Sequence, residues 1–134
     1  MGPDRRRRLG ASGEETVARW YEARGHEVLV RNWRCAEGEI DLVVRAPDGT
    51  LVICEVKTRS SEAFGSPFES VTSAKQRRLR RLAVRWLAER GRPAPGGSPR
   101  ARTARDMVDV RFDVAGVRVG TGGELTVELL ESAF

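Results

Sequence analysis

A chain of 134 residues with 40% hydrophobic content can build one compact core and has no room for a second, so residues 1–134 are read as a single domain. Lys and Arg outnumber Asp and Glu by 24 to 19, and an isoelectric point near 10.2 makes nucleic acid the first partner to consider, although an arginine-rich solvated surface leaves the same excess. Cys35 and Cys54 are too few and too isolated for a disulfide framework, and no apolar run reaches the roughly 18 residues of a membrane span, so a cytoplasmic protein with reduced thiols and no membrane partner is expected.

Residues 1–8 carry Arg5-Arg6-Arg7-Arg8 with no signal-type hydrophobic stretch behind them and read as a flexible basic tail. From Leu9 to Arg24, Val17, Ala18 and Tyr21 recur at helical spacing, and Gly25 supplies the expected stop. His26 to Arg31 is short and rich in β-branched residues, a first strand; His26 is a loop or strand-start residue and no catalyst. Glu39 to Arg45 and Leu51 to Thr58 alternate polar and apolar positions around the turn Pro47-Asp48-Gly49, which makes them a hairpin. Residues 60–71 form a polar connection. Leu79, Leu82, Ala83, Trp86 and Leu87 then trace the stripe of an amphipathic helix, with Thr72 as its N-cap and Gly91 as its stop. Residues 92–106, rich in Pro, Gly and Arg, form a flexible surface loop. Two more strands follow, Val108 to Val114 and Glu124 to Leu130, with Gly116, Gly120, Gly122 and Gly123 marking turns.

The hairpin register carries the chemistry. A three-residue loop at Pro47-Asp48-Gly49 pairs Ala46 with Thr50, and counting back along both strands sets Asp41 opposite Glu55 and Glu39 opposite Lys57. Glu55 and Lys57 share a face because side chains alternate along a strand. Directly opposed carboxylates repel and weaken the sheet unless a positive charge stands between them. A Mg²⁺ or Mn²⁺ ion meets that need, since hard cations of this kind use one or two carboxylates and keep several waters. Such an ion polarises a phosphoryl oxygen and acidifies bound water, with Lys57 placed to orient or deprotonate that water or to stabilise charge on phosphorus. The alternative is a solvated sheet face with Lys57 and Glu39 as an ordinary cross-strand pair. Against it, Val43, Leu51 and Ile53 lie on the same face as these charges and suggest a partly buried surface.

Two helical features complete the site. Glu14 falls on the face of Val17, Ala18 and Tyr21, where a carboxylate needs a partner: either it serves the helix dipole, or it supports or ligates the metal. The second helix carries Lys75, Arg77, Arg78, Arg80, Arg81 and Arg85 with no acid between the first and the last, a density suited to backbone phosphates and indifferent to base sequence. There is no Ser-His-Asp set, zinc cluster, Walker loop or dinucleotide fingerprint, which excludes those enzyme classes.

The motifs Gly13-Glu14 with Ala18, Arg31-Asn32-Trp33-Arg34, Gly38-Glu39-Ile40-Asp41-Leu42, Glu55-Val56-Lys57-Thr58-Arg59, Phe64-Gly65, Pro67 and Lys75 occur in order and at matching intervals, so that the chain resembles the bacterial YraN family over nearly its whole length, to Arg111-Phe112-Asp113-Val114 and Ala133-Phe134. The resemblance implies an α/β fold, a mixed central β-sheet flanked by helices with the restriction-endonuclease-like PD-(D/E)XK core, similar to archaeal Holliday-junction resolvases. It also implies that Asp41 is the motif aspartate, that Glu55 and Lys57 are the Glu-x-Lys pair, that Glu14 is the acid of the first helix, and that the carbonyl of Val56 is a further metal ligand. Ile40 stands where the superfamily's proline would be.

The function so implied is a Mg²⁺- or Mn²⁺-dependent endonuclease acting on DNA phosphodiesters, with branched DNA in repair or recombination as a candidate substrate. Asp41, Glu55, Lys57 and Glu14 would be catalytic, and Lys75, Arg77, Arg78, Arg81 and Arg85 would bind DNA. A homodimer would suit two-fold symmetric junctions, and a repair or recombination protein is the other candidate partner. The alternative is a non-catalytic nucleic-acid-binding accessory module of the same fold, or a scaffold whose basic face meets an acidic partner.

Overall fold

The computed structural model describes residues 3–60, 65–90 and 109–134, with side chains from Ser12 onward. Helix α1 spans Pro3–Ala23, strands β1, β2 and β3 span Glu27–Cys35, Gly38–Arg45 and Leu51–Ser60, a 3₁₀ turn occupies Pro67–Ser70, helix α2 spans Ser73–Arg90, and β4 and β5 span Val110–Val119 and Leu125–Leu130. The five strands form one mixed sheet in the order β1-β2-β3-β4-β5. All neighbours are antiparallel except β3 and β4, which run parallel and therefore require the crossover that contains α2.

The helices lie on opposite faces. Val17, Ala18 and Tyr21 of α1 close over Leu42, Val44, Val52, Cys54, Ala115 and Val117. Leu79, Leu82, Ala83 and Trp86 of α2 close over Val43, Leu51 and Ile53, with Phe112 and Phe134 stacked at the margin. Period-two alternation divides β3 between the two cores, so burial on one face leaves the other to be covered by the second helix. Cys54 is fully buried, and burial pushes its thiol upward, as expected for a small core residue.

Local chemistry explains the boundaries. Ala46 N–H donates to the Thr50 carbonyl at 2.8 Å, Asp48 accepts from Thr50 N–H at 2.9 Å, and Gly49 adopts φ +93°, so the hairpin has the expected three-residue loop. Gly25, at φ +82°, ends α1 as its position implied. Thr72 caps α2, its hydroxyl accepting from Lys75 N–H at 3.3 Å. No helix among the described residues is long and apolar enough to cross a membrane.

Three expectations are corrected. Residues 3–8, expected as a flexible tail, belong to α1: proline suits the first helical position, where its missing N–H costs nothing, and arginine is a good helix former. Strand β1 continues to Cys35 instead of ending at Arg31, because Trp33 pairs with Ile40 and Cys35 with Gly38, which satisfies backbone groups a loop would expose. Gly116 is no turn residue but lies within β4, where Pro67 packs so closely above it that a Cβ would collide with the proline ring. The expected loop at 92–106 and the helix stop at Gly91 lie outside the described residues.

Candidate metal centre and nucleic-acid interface

The expected register holds for Arg45 with Leu51, Val44 with Val52, Val43 with Ile53 and Leu42 with Cys54, and then the ladder ends. One step further, where Asp41 would face Glu55, the side chain of Asp41 takes over: its Oδ2 accepts the backbone N–H of Val56 at 2.8 Å. Opposed carboxylates are costly in a paired ladder, and a side-chain acceptor satisfies the amide that the splayed strand would otherwise leave open.

Asp41 and Glu55 nevertheless point into the same cleft, about 160 Å³, lined also by Glu39, Lys75, Arg78, Leu79 and Leu82. Asp41 is only 7% exposed. Burial first, then the neighbouring charge of Glu55, raise its pKa; the Val56 N–H opposes the shift, Glu14 and Glu39 add to it, and the result is pushed up to about 8. Burial and the surrounding carboxylates together disfavour its ionised form.

Lys57 lies 3.3 Å from Glu55. The expected cross-strand pair with Glu39 does not form: Glu39 binds Arg34 of β1 at 2.9 Å, since the strands splay before that pair would be reached. Burial acts to lower the Lys57 ammonium, but a hydrogen bond to Lys75 and the charge of Glu55 outweigh it and raise it overall. Lys75 is lowered in turn, chiefly by that same hydrogen bond and then by burial.

Glu14 is half-buried on the α1 side and does not line the cleft. Its carboxyl is raised, mainly by burial, against a hydrogen bond from Asn32 and with the charges of Glu39 and Glu55 adding. Gly13 beside it lets α1 approach β3, for a Cβ there would collide with the Thr58 hydroxyl. The Gly-Glu motif is thus a close-approach residue followed by the acid it positions.

Among the described residues no group of three or more His, Cys, Asp or Glu side chains converges on one point, and Glu14 adds its charge to the upward shift of Asp41. What remains for a cation is the Asp41–Glu55 pair, the carbonyl of Val56 between Glu55 and Lys57, and water. That donor set, all oxygen and acidic, is of the kind that Mg²⁺ or Mn²⁺ takes.

The basic face of α2 divides. Lys75 and Arg78 wall the cleft, while Arg77, Arg78 and Arg81 are exposed. Arg85 has partners the sequence did not show, Glu37 at 3.3 Å and Glu89 at 3.7 Å. Sequence reasoning missed Glu39 as a cleft residue, although its separation of two from Asp41 placed it on that face, and it missed Asn32, which takes the left-handed φ of +50° that Asn tolerates.

A solved structure described as Pyrococcus furiosus SfsA in complex with Ca²⁺ aligns with 91% of this chain and 62% of its own, at 14% identity and a TM-score of 0.40. A UPF0102 protein of Beutenbergia cavernae is 51% identical over 123 residues, covering 91% of this chain and 92% of its own. Another from a Nocardioides species is 58% identical over 83 residues, covering 62% and 66% respectively, and one from a Parafrankia species is 46% identical over 127, covering 95% and 96%. With residues 13–117 matching the family described as "Uncharacterised protein family UPF0102", the chain belongs to the UPF0102, or YraN, family.

Proposed function

We propose that this protein is a metal-dependent endonuclease-like enzyme of the PD-(D/E)XK type that cleaves DNA phosphodiesters. The observation that carries the reading is the buried Asp41 facing the same cleft as Glu55, with Lys57 at 3.3 Å from Glu55 and a basic wall of Lys75 and Arg78. A purely structural sheet surface has no reason to bury an aspartate whose charge its neighbours oppose.

Asp41, Glu55 and the Val56 carbonyl would hold Mg²⁺ or Mn²⁺, which when bound supplies Lewis acidity toward a phosphoryl oxygen and acidifies water. Lys57 stabilises negative charge at phosphorus and holds the attacking water against Glu55. Lys75, the amine of lowered basicity, stands beside it as a proton acceptor or phosphate contact. Arg77, Arg78 and Arg81 grip the backbone; Arg85 joins them only by leaving Glu37 and Glu89. Glu14 adds its charge to the field at Asp41 and would support the metal or its water. Two copies would be needed to cut both strands of a symmetric junction, and a repair or recombination partner would supply the setting; a cytoplasmic location accords with a DNA substrate.

The second reading is a non-catalytic nucleic-acid-binding accessory module. The Glu55–Lys57 ion pair favours it, because it already neutralises one of the two metal-binding carboxylates. Purified protein incubated with duplex, nicked, single-stranded and four-way-junction DNA in Mg²⁺ or Mn²⁺ separates the two. Cleavage that disappears with Asp41→Asn and Lys57→Ala establishes the enzyme; binding without cleavage under either metal establishes the module.

A further inference from the structure

Residues two apart on a strand share a face, yet β1 and β2 break that rule together. Leu42 packs in the α1 core and Ile40 in the α2 core. Their β1 partners divide in the same way: Arg31, opposite Leu42, reaches Glu15 and Glu22 of α1, whereas Trp33, opposite Ile40, packs against the α2 core. Between those two pairs stand Asn32 and Asp41, opposite one another by the same count. The change of face falls on the residue that gives the cleft its buried acid.

Asn32 takes φ +50° at this place, and among the described residues Ser132 of the C-terminal turn is the one other non-glycine with a left-handed backbone. That region is costly for a residue with a Cβ, and glycine adopts it with less strain, so the turn by itself gives no reason for a side chain there. The side chain has a partner: its amide donates to the Glu14 carboxylate of α1. Arg31 already reaches α1, and strict alternation would send the next side chain to the opposite face; the left-handed backbone brings Asn32 back to the same helix. Gly13 sets the helix backbone against Thr58 of β3, which leaves the direction of the Glu14 carboxylate to its own rotamers and to the group that bonds it. Glu39, Arg34 and Glu55 act on Glu14 through charge, and Asn32 acts through a hydrogen bond, which has a direction.

We infer that Asn32 is a positioning residue of the metal centre: its left-handed backbone brings its amide to Glu14, and that bond directs the Glu14 carboxylate toward the water of a cation held by Asp41 and Glu55. This rests on the function proposed above and adds to it a residue that touches neither metal nor substrate. Backbone and amide are separable by substitution, because glycine accepts the conformation and lacks the donor.

Mn²⁺ binding to the full chain is followed by the electron paramagnetic resonance signal of the free ion in wild type, Asn32→Gly, Asn32→Asp, Glu14→Ala and the double variant Asn32→Gly/Glu14→Ala, with the metal-free melting temperature of each. Asn32→Gly should melt close to wild type and yet bind Mn²⁺ about 10–100-fold more weakly, the usual cost of losing a group that orients a metal site from outside its ligands. Asn32→Asp keeps the side-chain shape and puts an acceptor where the donor was, so it should weaken binding as well, and it carries the test if the glycine variant does not fold. The double variant should bind no more weakly than Glu14→Ala, since a residue acting through Glu14 has nothing to direct once that carboxylate is gone. Wild-type Mn²⁺ affinity in the Asn32 variants, or losses that multiply in the double variant, overturns the assignment of Asn32 while the proposed function stands. Absence of Mn²⁺ binding by the wild type overturns both.

Discussion

The carboxylate of Asp41 accepts the backbone N–H of Val56 at 2.8 Å at the point where the β2–β3 ladder stops. One residue thereby ends a strand pairing and turns its acid into a cleft beside Glu55. Asp41→Asn keeps an acceptor for Val56 and removes the charge. The metal-free variant should match wild type near pH 4 and be more stable near pH 8, while Mg²⁺ no longer raises its melting temperature. Equal destabilisation at both pH values would instead mark Asp41 as a structural acceptor only.

The pH dependence of the metal-free wild type has a defined sign. Asp41 is raised from the 3.8 of a free aspartate to about 8 in the folded protein, so the folded state holds a proton that the unfolded chain has released. The stability contributed by that proton is fully present below about pH 4 and is lost as the pH rises to about 8. Glu14 shifts in the same direction. A bound cation needs the ionised carboxylate, so stabilisation by Mg²⁺ or Mn²⁺ should grow over the same interval. Chemical denaturation at pH 5, 7 and 9 with and without metal checks it; metal stabilisation that does not change with pH would contradict the assignment of Asp41 as a ligand.

Lys57→Ala removes the ammonium beside Glu55. On the function proposed above, loss of one group that stabilises transition-state charge should lower turnover by about 10²–10³-fold. Metal affinity should hold or rise, since Glu55 loses its competing cation, and metal titration by calorimetry would show it. Weaker metal binding together with lost turnover would place Lys57 in the structure of the site and not in its chemistry.

Away from the cleft, Asp113 is 1% exposed and accepts from the Tyr21 hydroxyl at 2.7 Å, from Arg111 at 3.2 Å and from Ser132 N–H at 3.0 Å. Those bonds tie α1, β4 and the C-terminal turn together. Tyr21→Phe should cost about 1–3 kcal/mol, the penalty of a buried charged acceptor losing a donor. Asp113→Ala, which strands Arg111 and the tyrosine hydroxyl, should cost about 3–5 kcal/mol. Urea unfolding gives both values, and metal binding should be unchanged in Tyr21→Phe.

Gly116→Ala inserts a methyl group where Pro67 already sits, and overpacking of that kind costs about 1–3 kcal/mol. Displacement of the 3₁₀ turn should be visible as faster amide exchange at Glu69 and Val71, whose N–H groups donate within it.

Much of the site was legible before the fold, because strand chemistry is local. A three-residue turn at Pro47-Asp48-Gly49 and a side-chain period of two are enough to bring Asp41 and Glu55 to one face and to put Lys57 beside Glu55. Helical spacing likewise placed Val17, Ala18 and Tyr21 in one core and Leu79, Leu82, Ala83 and Trp86 in the other. Partners supplied by distant segments were not legible. Glu37 takes Arg85 only because α2 lies over that turn, and Gly116 is needed only because Pro67 returns across β4. The sequence by itself determined which residues share a face, since that follows from backbone period. Only the tertiary structure decided where the ladder yields, which charges are already neutralised and how deeply Asp41 is buried, since those depend on packing and desolvation between elements far apart in the chain.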